Sequence, residues 1–166
     1  MAIDYFRESE KYRPATIKTL LIGEAPPPSG KTYFYVPRAM SNATPIENDT
    51  SLPATIFNHY FHDRPTAIDR YIAYLTRLIE KGIFLIDICS DPIRVRANPE
   101  GVLRIIDEIP KLRSRVLARG IQVIDSNIVF LLARNKYEKQ IRCEFPNSQL
   151  VRWKDFRMSP LPMDGT

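Results

Sequence analysis

The chain of 166 residues is short of cysteine, histidine and long apolar runs, and each shortage removes a class of protein. Two cysteines, Cys89 and Cys143, cannot build a disulfide framework or a four-cysteine zinc or iron–sulphur site, so a reduced, cytoplasmic setting is expected. The longest uninterrupted apolar stretch, residues 128–133, is far shorter than the roughly 20 residues a membrane helix needs. Residues 1–10 are charged, and no secretory signal is read there. The two histidines, His59 and His62, lie three apart, a spacing metal sites use. With no third ligand near them they are read as an incidental pair, and neither metal nor cofactor is expected. Repeats, low-complexity tracts and linkers are also missing, which leaves one domain spanning 1–166.

What is present is globular composition: 44% hydrophobic and 26% charged residues, too apolar for a mostly disordered chain. The net charge is +5 and the isoelectric point near 9.3. The excess is uneven, because residues 111–157 hold eleven Lys and Arg against four acids, a local +7. A polyanionic partner fits such a surface, since neutralising phosphates releases counterions. Arginines that are merely solvated or paired fit it equally well.

Residues 17–22 (IKTLLI), closed by Gly23, read as a buried strand. A proline-bearing loop follows over 24–53. Pro65 suits a first helical position, apolar residues then recur at helical spacing from Ile68 to Ile79, and Lys81-Gly82 supplies a stop. Residues 83–88 (IFLIDI) form a second strand. A helix is predicted from Asn98-Pro99 to Arg119-Gly120, with Pro110 forcing a kink or a break. Strand material lies in 121–132, best in 127–132, a helix in 133–141, and a last strand in 150–153. Strands alternating with helices predict a three-layer α/β/α domain around a short, mostly parallel sheet, with ligands at the carboxyl ends of the strands. Residues 23–35, 87–91 and 158–162 converge there.

Residues 25–32 (APPPSGKT) match a loose phosphate-loop pattern, with Lys31 on the phosphates and Asp87 on the metal as in a nucleotide hydrolase. The physics opposes it. Such a loop aims consecutive N–H groups at phosphate and runs into a helix, whereas Pro26, Pro27 and Pro28 have no N–H and residues 33–37 read as extended chain.

The run Leu21-Ile22-Gly23-Glu24-Ala25-Pro26, followed by an aromatic cluster, resembles the uracil-DNA glycosylase superfamily. The resemblance implies that Gly23, Ala25 and Pro26 line a base pocket and that one of Tyr33, Phe34 and Tyr35, with Phe34 the choice, stacks on a flipped base. It puts Asp87 where relatives carry a polar strand-end residue, commonly Asn. It also puts Ser159 and Pro160 in a late loop that inserts beside the target nucleotide. Arg94, Arg96 and Arg157 would contact DNA. An extruded base is held by stacking and edge hydrogen bonds, and a carboxylate, Glu24 or Asp87, positions water and stabilises the sugar cation.

The departures are as informative. Ala25 stands where many relatives have an acid or Asn, and no histidine marks the late loop. Asp87 offers acceptors alone, which suits an exocyclic amine, as on a modified cytosine, better than the edge of uracil. Relatives usually continue into a closing helix, so a trimmed form is expected. A monomeric DNA glycosylase is the leading expectation. A catalytically silent DNA-binding module of the same fold is the alternative.

Overall fold

Three short apolar runs and a fourth, mixed strand find their hydrogen-bond partners in one another. In the computed structural model, which describes residues 3–133 and 135–158 apart from the side chains of Asn135, Arg157 and Met158, they pair as one sheet. The strands are β1 (Thr19–Gly23), β2 (Ile83–Asp87), β3 (Ile128–Leu132) and β4 (Gln149–Arg152). Their order is β2-β1-β3-β4 and every pair is parallel, with Gly23 opposite Asp87 across β1 and β2. β3 is buried throughout, as expected of a central parallel strand covered on both faces.

The helices are α1 (Tyr5–Glu10), α2 (Leu52–Phe61), α3 (Ile68–Glu80), α4 (Pro99–Ala118), α5 (Glu138–Glu144) and α6 (Trp153–Met158). Crossovers between parallel strands are right-handed. The step from β1 to β2 therefore lays α2 and α3 on one face. The steps from β2 to β3 and from β3 to β4 lay α4 and α5 on the other, where they touch. α6 returns to pack on α2. The expected α/β class and three layers are present.

Three local expectations are corrected. Pro110 neither breaks nor ends α4, which runs from Pro99 to Ala118. The proline is exposed, so water can meet the carbonyl whose partner it removes. The helix after Pro65 starts at Ile68, with Ala67 as its N-cap residue. Residues 52–61, the first two of which fall in the loop expected over 24–53, form α2, capped by the Ser51 hydroxyl accepting from the Ala54 N–H at 3.3 Å. That helix is buried at Pro53, Ala54, Thr55, Ile56, Phe57 and His59, so no amphipathic stripe announces it. Its end is equally quiet, because His62 takes the left-handed position (φ 53°) that glycine usually fills.

Candidate active site

In a parallel sheet with this order, the connections from the neighbouring strands β1 and β3 run in opposite directions, from β1 outward to β2 and from β3 outward to β4. The crevice at the carboxyl ends of β1 and β3 is the topological switch point, where ligands of open α/β sheets bind. Glu24, the first residue after β1, spans that crevice. One carboxylate oxygen accepts from the Ala133 N–H just after β3 at 3.1 Å, and the other accepts from the Tyr137 hydroxyl at 3.0 Å. Tyr137 is completely buried and Glu24 only 8% exposed, so this carboxylate is fixed in place.

Asp87, the last residue of β2, differs in every respect. The residue keeps some exposed surface, yet protein packs round its carboxylate and none of the described residues donates a hydrogen bond to it. Burial first, and then the neighbouring negative charge of Glu24, push its pKa up to about 7; Arg115 pulls the other way. Arg115 comes from α4 and donates to the Ser90 hydroxyl at 2.8 Å and to the Ile88 carbonyl, which ties the loop after β2 to the helix. One carboxylate held by donors beside another that titrates near neutrality is an acid–base arrangement.

Gly23 makes the pair possible. A Cβ there would lie 2.7 Å from Asp87 Oδ1, well inside contact distance. Its backbone is not in the left-handed region, so alanine would be tolerated by the chain itself. Gly23→Ala should therefore fold with little loss of stability while displacing the Asp87 carboxylate. The measurement is the carboxyl carbon resonance of Asp87, whose titration midpoint moves away from about 7 if the displacement occurs.

The loop that follows is sewn down by neighbours. The Ile88 and Cys89 N–H groups donate to the Gly23 and Glu24 carbonyls at 2.9 and 3.0 Å. The Ile93 N–H reaches the Pro26 carbonyl at 3.2 Å, and the Tyr5 hydroxyl reaches the Pro27 carbonyl at 2.6 Å. The prolines thus contribute acceptors, and Ala25 stays part-exposed beside them. Residues Gly30–Thr32 make a single 3-10 turn, and Tyr33 after them is extended. The phosphate-loop pattern is accordingly not followed by the helix that such a loop requires.

The aromatic cluster lies elsewhere than a stacking platform would. Phe34 is 3% exposed, its ring 5.4 Å from Phe57 and 5.0 Å from Tyr35, and its carbonyl accepts from the Tyr71 hydroxyl. Tyr35 is buried too, its hydroxyl accepting from the Leu85 N–H at 2.7 Å, and Tyr33 sits edge-on to Tyr5. The rings are core, and stacking on a base would take Phe34 out of contact with Phe57 and Tyr35. Arg94 and Arg96 are exposed on the loop after β2, at the same end of the sheet as Asp87. Ser159 and Pro160, with the side chain of Arg157, lie outside the described residues. His59 and His62 are separate in role: His59 Nδ1 donates to the Phe156 carbonyl at 2.6 Å and its ring stacks on Phe156, while His62 is exposed at the end of α2.

Sequence reading thus finds Glu24, Asp87 and Gly23, and these meet. It misses Tyr137, Arg115 and the Ala133 N–H, whose relevance depends on which strands are neighbours. The chain was compared with protein-family models, curated proteins and solved structures, and none of the three comparisons found a match.

Proposed function

We propose that the protein is a hydrolase that cleaves the bond between a base and its deoxyribose in DNA, as a divergent glycosylase of the uracil-DNA glycosylase type. The observation that carries the chemistry is Asp87, a carboxyl group with no hydrogen-bond donor among the described residues, pushed to about 7 beside the anchored Glu24 at the switch point of the sheet. The substrate class comes from the resemblance of residues 21–26 and from the basic second half of the chain.

Cleavage of this bond leaves electron density on the departing base and positive charge on the sugar. An ionised Asp87 stabilises that cation and orients the attacking water, from which it can take a proton. Glu24 serves as a positioning residue: its carboxylate joins the ends of β1 and β3 and sets the field in which Asp87 titrates. With only acceptors on Asp87, a base bearing an exocyclic amine is a better match than uracil.

The working form is the deprotonated one, which fixes the sign of the pH dependence. Base release should rise tenfold per unit as pH increases toward 7 and level off above about 8. Duplexes containing uracil or modified cytosines, incubated with the protein and then cleaved with alkali at abasic sites, give this profile directly. A rate that falls as pH rises through 7, or no abasic product from any of these bases, defeats the reading.

The burial of all three rings at residues 33–35 favours a second reading, a DNA-binding module without catalysis. It predicts salt-sensitive DNA binding with no abasic product, and a product dependent on Asp87 excludes it.

A further inference from the structure

The loop between Tyr35 and α2 encloses a cleft of about 350 Å³ that the carboxylate pair does not use. Its wall is polar. Arg38, Arg64, Ser41, Thr50 and Ser51 line it together with Asp49, the one acid there among the described residues. Arg64 is 8% exposed and fully engaged, donating to Asp49 Oδ2 at 2.8 Å and to the Thr44 carbonyl at 2.6 Å. Asp49 in turn accepts from the Ser51 N–H at 3.0 Å. The acid is thereby spent on holding the loop.

Arg38 is different. Its guanidinium donates to the Tyr33 carbonyl at 3.3 Å and lies 5.7 Å from the Tyr71 ring centre, and no carboxylate among the described residues pairs with it. A half-buried guanidinium oriented by a carbonyl and a ring, lining a cleft with hydroxyl-bearing residues and without a carboxylate partner among the described residues, is arranged for an anion. Two guanidiniums against one carboxylate leave the cleft with a net positive charge.

Position narrows the anion. Ser51 lines the cleft, and the next residue, Leu52, reaches the carboxyl end of β1, its Cδ2 lying 3.8 Å from where a Gly23 Cβ would stand. Leu52 thus links the wall of the cleft to the strand end where Gly23 lies against Asp87. We propose that the cleft is a phosphate subsite, which takes a backbone phosphodiester of the nucleic-acid strand and sets its register against the carboxylate pair. This assignment rests on the proposed function for the identity of the strand, though not for the presence of a phosphate site.

The test has two arms. In the first, the full chain is titrated with inorganic phosphate at constant ionic strength, chloride replacing phosphate, and thermal unfolding is followed. Phosphate raises the stability of many proteins through exclusion, so the readout is the difference between variants. Wild type and Lys81→Ala, which removes a positive charge from the opposite end of β2, should show the same saturable rise, and Arg38→Ala should lose it. Arg38→Gln, which keeps a donor for the Tyr33 carbonyl, serves if the alanine variant is unstable. Equal responses in wild type and both Arg38 variants overturn the subsite. In the second arm, an oligonucleotide is bound across a salt series. The slope of log affinity against log salt should fall by about 1 in Arg38→Ala, and an unchanged slope overturns the phosphodiester assignment. The two proposals fail separately. Absence of abasic product with an intact phosphate response removes the glycosylase reading alone, and product formation by wild type without an Arg38-dependent response removes the subsite alone.

Discussion

Asp87→Asn should sharply slow base release and at the same time make the protein more stable above neutral pH. In the unfolded chain this carboxyl titrates near 3.8, and in the fold it titrates near 7. Between those values the native state holds the proton more often than the unfolded state. Stability therefore falls as pH rises through that window, and the full penalty is present above about 7. Asparagine removes the penalty because it never ionises. The gain should be absent below about pH 4 and reach about 2–4 kcal/mol at pH 8, a shift of several degrees in Tm for a chain of this size. Activity moves the other way, since neither a proton acceptor nor a negative charge remains to meet the sugar cation, and a loss of about 10²–10⁴-fold is expected. Thermal melts at pH 4 and pH 8, paired with abasic-site assays, measure both. An asparagine variant equally stable or weaker at pH 8 would show that Asp87 is satisfied structurally and is not a strained functional group.

Glu24→Ala should instead be destabilising. Truncation removes the carboxylate that accepts from the exposed Ala133 N–H and from the hydroxyl of the completely buried Tyr137. A buried donor that loses its acceptor costs about 1–3 kcal/mol, whereas the Ala133 N–H can turn to water, so a loss of about 1–3 kcal/mol is expected, measured by denaturant unfolding. Glu24→Gln separates structure from electrostatics. Its oxygen retains one donor, and the Tyr137 hydroxyl can rotate to accept from the new amide, so stability should fall by only about 1 kcal/mol. The charge beside Asp87 disappears, however, and that charge is one of the causes holding Asp87 up. The titration midpoint of Asp87, and with it the lower limb of the pH–activity profile, should move below 7. A midpoint that stays in place would mean that burial alone sets it, and that the two carboxylates are not coupled.

Raised stability on losing Asp87 and lowered stability on losing Glu24 express one design. The anchored carboxylate ties the end of β1 to residues that follow β3, and the other carries the cost of burial on which the proposed chemistry would draw. Gly23 lets the second come close, because across the β1–β2 register nothing but a hydrogen separates its α-carbon from the Asp87 oxygen.

Much of this was legible before any coordinates. Apolar runs closed by a glycine or an aspartate mark β1 and β2 within two residues, and Pro99 and Gly120 bracket α4. Alternating strands and helices were enough for a parallel sheet, and a parallel sheet sends the search to Gly23, Glu24 and Asp87 at strand ends. These are local properties, written in residue type and spacing. Side-chain fate is not local. Phe34 looks like an exposed platform in a proline-rich loop, but the loop folds inward and the ring reaches Phe57 of a helix that the sequence barely signals. Sequence can say that two carboxylates lie near the strand ends. Only the β2-β1-β3-β4 order decides that Glu24 meets donors from the β3 side while Asp87 meets none among the described residues, and hydrogen-bond partners 109 and 113 residues away fix which acid is anchored and which is poised.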